Sequence, residues 1–381
     1  MGRSLTATPL RIGPLEVWPP VVLAPMAGVT NAPFRRLCRS YGPDDAILYV
    51  SEMVLARAVL EDQGRTAQML AFGPDESPRS VQLYGVDPTV VGQAVARLVD
   101  AGRVDHLDLN FGCPAAKVTR KGGGAALPVR TRLLADIIAA AVRAAGAVPV
   151  TVKFRTGIDA RRLTHLSTAR IAEDQGAAAV ALHARTAEQH YAGRADWSAI
   201  AAVKDAVRTI PVLGNGDIMT GADALAMMAA TGCDGVVVGR GCLGRPWLFA
   251  DLADAFAGRP PAPSPRLGDV TGVMAAHAAL LADWFGEPLG VRDFRKHTSW
   301  YLRGYPCGGA VRRRLNQVGT LAELDDLLGG LDPELTLPPG SEHLVRGHTS
   351  GPRKVVLPDG WLAGADDPTV PQGAELAVSG G

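Results

Sequence analysis

The 381-residue chain gathers its chemically capable side chains into a few short stretches. The sharpest is Leu107-Asp-Leu-Asn-Phe-Gly-Cys-Pro114, in which Asn110 precedes a Gly-Cys-Pro turn. That turn sets Cys113 at a strand end, whereas Cys38, Cys233, Cys242 and Cys307 read as small buried fillers. A free thiol titrates at about 8.5 and is mostly protonated at neutral pH, so it donates a proton as readily as it attacks. No His follows Cys113 at the spacing of a Cys–His dyad, which favours the proton-donor role.

Cationic residues cluster in the next stretches. In Val150-Thr-Val-Lys-Phe-Arg155, strand alternation puts Lys153 and Arg155 on one side. A buried Lys is costly without a partner, which points to an anionic ligand. His183 and Arg185 end a further strand and with Lys153 make a cationic rim. Two glycine-rich turns, around Asn215-Gly216-Asp217 and Gly239-Arg240, suit a phosphate held by backbone N–H groups, with Arg240 adding charge. Neither turn has the P-loop pattern. Gln82 offers an amide that donates and accepts at a heterocycle edge. The small residues of Ala24-Pro25-Met26-Ala27 let backbone lie against a flat ligand.

Eight aliphatic runs must position these groups: 21–24, 46–51, 80–84, 105–110, 149–154, 179–183, 211–215 and 235–239. Helical patterns fall between them, among them 88–101 opening on Asp87, 130–145, and 163–175 ending at Gly176. Eight β/α units fit a (β/α)8 TIM barrel better than a doubly wound open sheet, because polar residues close nearly every strand as loops around one mouth require. A hairpin over 10–18 precedes the first strand, giving a barrel domain of 1–258. A Pro-rich linker (259–267) leads to a small all-helical domain (268–332), with capping-box spacing at Thr320 and Glu323. The Gly- and Pro-rich tail (333–381) lacks an apolar period and is expected to be poorly ordered.

Composition narrows the function. Lys and Arg total 39 against 38 Asp and Glu, which excludes a uniformly basic nucleic-acid binder and leaves only a local basic surface. The five cysteines are odd in number and hold no CxxC pair, so neither a disulfide framework nor a metal site is expected. Without a signal sequence or a long apolar run, the expectation is a cytoplasmic protein with no membrane segment and no evident protein partner.

Taken in order, LAPMAGVTNAPFR, VQLYG, DLNFGCPAAKV, VKFRTG, HARTAEQHYAG, LGNGDI and VVGRGCLGRPW resemble the tRNA-dihydrouridine synthase family, in its bacterial DusB-type branch. The resemblance runs from about residue 11 to residue 328. It implies an FMN-bound barrel that uses NADPH to reduce the uracil C5–C6 bond in tRNA, with hydride reaching C6 from the flavin and Cys113 protonating C5 from the other face. Pro25, Met26 and Ala27 would line the flavin, and Gln82 and Lys153 would meet its ring edge. Asn215, Gly216, Asp217, Gly239 and Arg240 would hold its phosphate. Asn110, Arg155, His183 and Arg185 match positions near flavin or substrate, and the resemblance does not extend to the tail after about residue 333.

An RNA substrate calls for a local basic surface and for extrusion of the target base. Between Val291 and Gln317 lie seven Lys or Arg and a single acid, Asp293. Arg292, Arg295, Lys296 and Arg303 share a helical face opposite Phe294, His297 and Tyr301, and Arg312 to Arg314 add a second cluster. Lys117, Arg120 and Lys121 extend the track from Cys113. Two other readings remain: an FMN barrel acting on a free pyrimidine, and a non-catalytic tRNA-binding module.

Overall fold

The computed structural model describes residues 8–43, 47–61, 64–347 and 351–374. A hairpin of β1 (Leu10–Ile12) and β2 (Leu15–Val17) precedes eight strands. These are β3 (Val21–Leu23), β4 (Leu48–Leu55), β5 (Ser80–Tyr84), β6 (His106–Phe111), β7 (Val150–Arg155), β8 (Ala179–His183), β9 (Val212–Asn215) and β10 (Gly235–Val238). They pair in parallel, in chain order, and β10 closes onto β3. The alternation therefore closes as a (β/α)8 barrel and not as an open sheet.

Local chemistry explains the crossovers. The Asp87 carboxylate caps the helix Pro88–Asp100 by accepting from the Thr89 and Val90 N–H groups. Alternate strand residues, such as Val22, Leu48, Ala179 and Leu213, fill the barrel interior together with Leu10, Ile12 and Val17 of the hairpin. The intervening residues pack outward against the helices. The second barrel strand departs from the expected 46–51: Ala46 lies outside the described residues, and β4 continues to Leu55 through a register shift between Val50 and Met53. The shift keeps the strand paired with β5 beyond the polar residues that read as its end.

Beyond the exposed Pro-rich segment, helices Leu267–Phe285 and Glu287–Tyr301 pack as a pair around Val270, Met274, Leu281 and Phe294. The Thr320 hydroxyl caps Leu321–Gly329 by accepting from the Glu323 N–H at 3.1 Å. Buried His277 and His297 meet edge to face and touch Phe34 of the barrel side. Among the described residues no helix is long and apolar enough to cross a membrane.

The tail corrects the expectation of poor order. Described residues from Pro333 onward lie along the barrel and helical domain, and Arg346, Val355, Trp361 and Ala374 are buried. Its last residues, 375–381, lie outside the described part. The Trp361 indole donates to the Ala126 carbonyl at 2.7 Å, Arg130 covers its ring at 4.6 Å, and Arg130 pairs with Asp367 at 2.5 Å. The tail draws its order from contacts with the barrel, not from a helical or strand period of its own.

Candidate active site

The barrel interior carries a buried relay of hydrogen bonds that runs from the strand starts to the Cys113 turn. It starts on β5 and β6, where the Ser80 hydroxyl meets His106 Nδ1 at 2.7 Å and Thr151 of β7 meets Nε2 at 3.0 Å. Thr151 donates to Asp108 at 2.6 Å, and Asp108 accepts from the Gln82 amide at 2.6 Å. Asn110 Nδ2 donates to Gln82 Oε1 at 2.8 Å, and its own oxygen accepts from the Gly112 and Cys113 N–H groups at 3.1 and 2.9 Å. Gln82 and Asn110 thus set each other's orientation, and Asn110 holds the turn.

The far side of the turn is equally constrained. The Cys113 carbonyl accepts from the Ala125 N–H at 3.0 Å. Gly124, at φ +54°, lies so close that a Cβ there would come within 2.5 Å of the Cys113 oxygen. Burial pushes the Cys113 thiol up, against a partial pull from the Ala115 N–H, Arg155 and Lys117. The group is therefore a thiol at neutral pH.

Cys113 lines a cavity of ≈540 Å³, a size suited to a small-molecule site. Pro25, Met26 and Ala27 line the same cavity from the end of β3, three strands round the barrel. Gln82, Asn110 and Lys153 also face it. A second pocket of ≈90 Å³ shares Pro25, Met26, Lys153, His183 and Arg240 with the first and reaches Asn215, Gly216, Asp217 and Gly239. A slot therefore runs from the thiol to a small cationic recess at the ends of β9 and β10.

The charges in the recess are arranged by one another. Lys153 Nζ donates to Asn215 Oδ1 at 3.0 Å, and Asn215 Nδ2 donates to the Val237 carbonyl at 2.7 Å. Burial lowers Lys153 to about 8, with Arg155 adding to the shift and Asp108 opposing it, so the amine stays largely charged at pH 7. Asp217, at φ +59°, takes Arg185 Nη2 on both oxygens at 2.7 and 2.9 Å and stands 3.6 Å from Arg240. Its carboxylate orients two guanidinium groups and would not itself face an anion. Arg185 Nη1 is buried without a protein partner, an open donor in a pocket wall.

Other predicted roles shift. Arg155 is almost fully buried and braces loops, donating to the carbonyls of Gly112, Thr186 and His190 at 2.8–3.0 Å. His183 does not contribute a cation to the rim: burial and then Arg155, Lys153, Arg185 and Arg240 hold its pKa well below the ordinary value. On the helix Glu287–Tyr301, Arg292 is exposed, but Arg295 donates to the Val318 carbonyl at 2.7 Å and Lys296 pairs with Asp293 at 2.5 Å. Of the four cations expected on one helical face, Arg292 and Arg303 remain exposed, and none of the four lines the slot. Cys307, expected to be buried, is half-buried. Among the described residues no group of three or more His, Cys, Asp or Glu is placed to hold a metal ion.

Residues 22–331 match the family model described as "Dihydrouridine synthase (Dus)". A Mycobacterium tuberculosis protein named "Probable tRNA-dihydrouridine synthase" is 56% identical over 100% of this chain and 99% of its own length. The chain belongs to the dihydrouridine synthase family. The tRNA-dihydrouridine synthase B of Xanthomonas axonopodis is 39% identical over 86% of this chain and 99% of its own, which supports the DusB-type branch of the family. A histamine dehydrogenase from Rhizobium shares the barrel fold, with a TM-score of 0.51 at 12% identity over 86% of this chain. This chain spans 65% of that dehydrogenase.

Several slot residues of this dihydrouridine synthase family member escape a reading of motifs. Tyr191, inside the stretch HARTAEQHYAG, lies 4.7 Å from the Arg240 guanidinium and 5.6 Å from that of Arg155. Met53 enters through the unforeseen end of β4, and Trp300 arrives from the helical domain. Gly347, Arg353, Lys354 and Val356 come from the tail. Only Tyr191 carried a signal, as an aromatic among the cations of a strand-end loop.

The buried histidines of this family member make its stability sensitive to acid. Burial lowers His106 to about 3 and, with a smaller push from Lys296, His277 to about 3. Both stay neutral in the folded chain while the unfolded chain takes up protons below about pH 6.5, so stability is full above that value and is lost as pH falls. At pH 5 each costs about 2 kcal/mol. Asp108, which burial raises to about 6, works the other way and offsets about 1 kcal/mol. Urea titrations at pH 7 and pH 5 are expected to show a loss of a few kcal/mol on acidification; equal stability at the two pH values would contradict burial of neutral imidazoles.

Proposed function

We propose that this chain reduces the C5–C6 bond of uridines in tRNA to 5,6-dihydrouridine, with FMN bound in the slot and NADPH as reductant. The observation that carries the reading is a protonated thiol and a cationic recess at opposite ends of one slot. The residues suit a flavin mononucleotide. The β3 loop offers a flat wall, Gln82 and Lys153 offer polar edge contacts, and the recess offers the open Arg185 Nη1, Arg240 and Gly216. Asp217 serves by orienting Arg185. A flavin bound there supplies the hydride for uracil C6.

The chain's own part is to position and protonate. Cys113 Sγ gives its proton to C5 on the face of the uracil turned away from the β3 loop. Arg155 and Lys117, whose charges favour the thiolate, steady the sulfur until it regains a proton. The base must leave its stack to enter, and Trp300 of the helical domain lines the slot that would receive it. A cytoplasmic location follows from this substrate.

The test is anaerobic. Enzyme reduced with NADPH and mixed with an unmodified tRNA transcript should regain the oxidised flavin spectrum, and mixing with free uridine should not. Reoxidation by free uridine would shift the reading to a free pyrimidine, and a colourless protein that releases no flavin on denaturation would leave only an RNA-binding module.

Phosphate contacts are assigned to exposed cations of the helical domain. Arg292, Arg313 and Arg314 are exposed, whereas Arg312 donates to the Leu302 and Tyr305 carbonyls. Reversing the three exposed charges to Glu is expected to weaken tRNA binding and to reduce the salt slope by roughly one per lost contact. Titrations at several salt concentrations check it, and an unchanged slope would mean a merely solvated face.

A further inference from the structure

The tail forms one wall of the slot. Arg353, Lys354 and Val356 line the same cavity as Cys113. The segment has neither helix nor strand: Val355 packs inward with Ala125, Ile158 and Ala187, while Arg353, Lys354 and Val356 remain exposed. Two attachments fix it. The Arg353 N–H donates to the Glu188 carbonyl at 2.8 Å, and the Trp361 indole donates to Ala126, in the loop that bonds the Cys113 carbonyl through Ala125. The wall is therefore registered against the thiol itself.

The charges on this wall differ from those deeper in the slot. Lys153, Arg155 and Arg185 make hydrogen bonds inside the protein, and Arg240 stands beside Asp217. Arg353 and Lys354 make no side-chain ion pair or hydrogen bond among the described residues. They are two exposed cations on a fixed backbone at the rim of a site with a proton donor inside. The segment also lies beyond residues 22–331, the span of the family model.

We propose that Arg353 and Lys354 bind backbone phosphates of the tRNA that flank the everted nucleotide. The inference rests on the proposed function above and adds a phosphate-binding wall to it. Eversion turns a base out of its stack but leaves its 5′ and 3′ phosphates attached, so both must lie at the rim while the base is inside. Two side chains that present ammonium and guanidinium groups there match that need, and Val356 beside them offers an apolar contact to the sugar.

The test uses the full chain and an unmodified tRNA transcript, with binding followed by anisotropy between low and moderate salt. Arg353→Ala with Lys354→Ala should weaken binding on the order of tenfold and lower the salt slope by roughly one to two. Exchanging the residues, Arg353→Lys with Lys354→Arg, should restore most of both. A matched pair of exposed cations far from the slot, Arg143→Ala with Arg208→Ala, should not move either. Equal affinity and slope for the double alanine variant and the wild type, including the case in which neither binds, overturns the proposal. So does a variant that binds tRNA normally but is reduced slowly by NADPH, since the cations would then serve the dinucleotide. A wild type that binds the transcript and fails to reduce its uridines refutes the proposed function instead, and the binding comparison still decides the role of the wall.

Discussion

Replacing Cys113 with alanine is expected to slow uridine reduction by about a hundred- to ten-thousand-fold, the usual contribution of a positioned general acid, while flavin and tRNA still bind. The small loss elsewhere follows from the way the turn is held. Asn110, Gly124 and Ala125 grip its backbone, and no side-chain partner of the sulfur is needed to keep the loop in place. The pH profile separates a proton donor from a nucleophile. Burial raises the thiol pKa above its ordinary value, so reduction by prereduced enzyme should hold level through neutral pH and fall as the thiol ionises at high pH. A nucleophilic thiolate would give the opposite slope, with activity rising over the same range. Single-turnover rates of wild type and variant across that range decide between them, and a fully active alanine variant would remove Cys113 from the chemistry.

Replacing Asp217 with alanine is expected to cost about 2–3 kcal/mol of stability. Removing the carboxylate takes a hydrogen-bonded counter-charge from Arg185, which is only 2% exposed, although Asp217 itself is 29% exposed. Arg185 would keep the Ala192 and Gly193 carbonyls but lose both carboxylate oxygens, and the Ala195 N–H would lose its acceptor. The backbone adds to the loss: alanine tolerates the left-handed conformation at this position less well than aspartate does. Asp217→Asn keeps an acceptor and a residue type suited to that conformation, so its loss should be clearly smaller. Chemical denaturation of flavin-free protein measures both without a contribution from ligand binding. An alanine variant within about 1 kcal/mol of wild type would show that the carboxylate does not organise the recess.

The sequence was most legible where one local rule sufficed. Strand alternation put Lys153 and Arg155 on one side of β7, and both line the slot. The Gly-Cys-Pro turn put Cys113 at the mouth for the same local reason. What escaped were the partners supplied by distant elements. Spacing on a helix gives Arg295 an outward face, yet it cannot show that the Val318 carbonyl takes it up; Asp293, three residues before Lys296 on the same helix, is a partner that spacing alone does indicate. Arg155 read as a ligand for substrate, and it does line the slot, but its Nε and Nη1 are taken up by three loop carbonyls. The tail failed for the same reason on a larger scale. Val355 and Trp361 follow no period because they fill sites on a surface that the barrel has already built, around Ala125, Ile158 and Arg130.

The most direct measurement is the mass of tRNA nucleosides before and after incubation of an unmodified transcript with the flavin-loaded chain and NADPH. A uridine that gains the mass of two hydrogen atoms with wild type, and does so far more slowly with Cys113→Ala, is the predicted result. An enzyme whose flavin is reduced in the presence of bound transcript, with every uridine unchanged in mass, would contradict it.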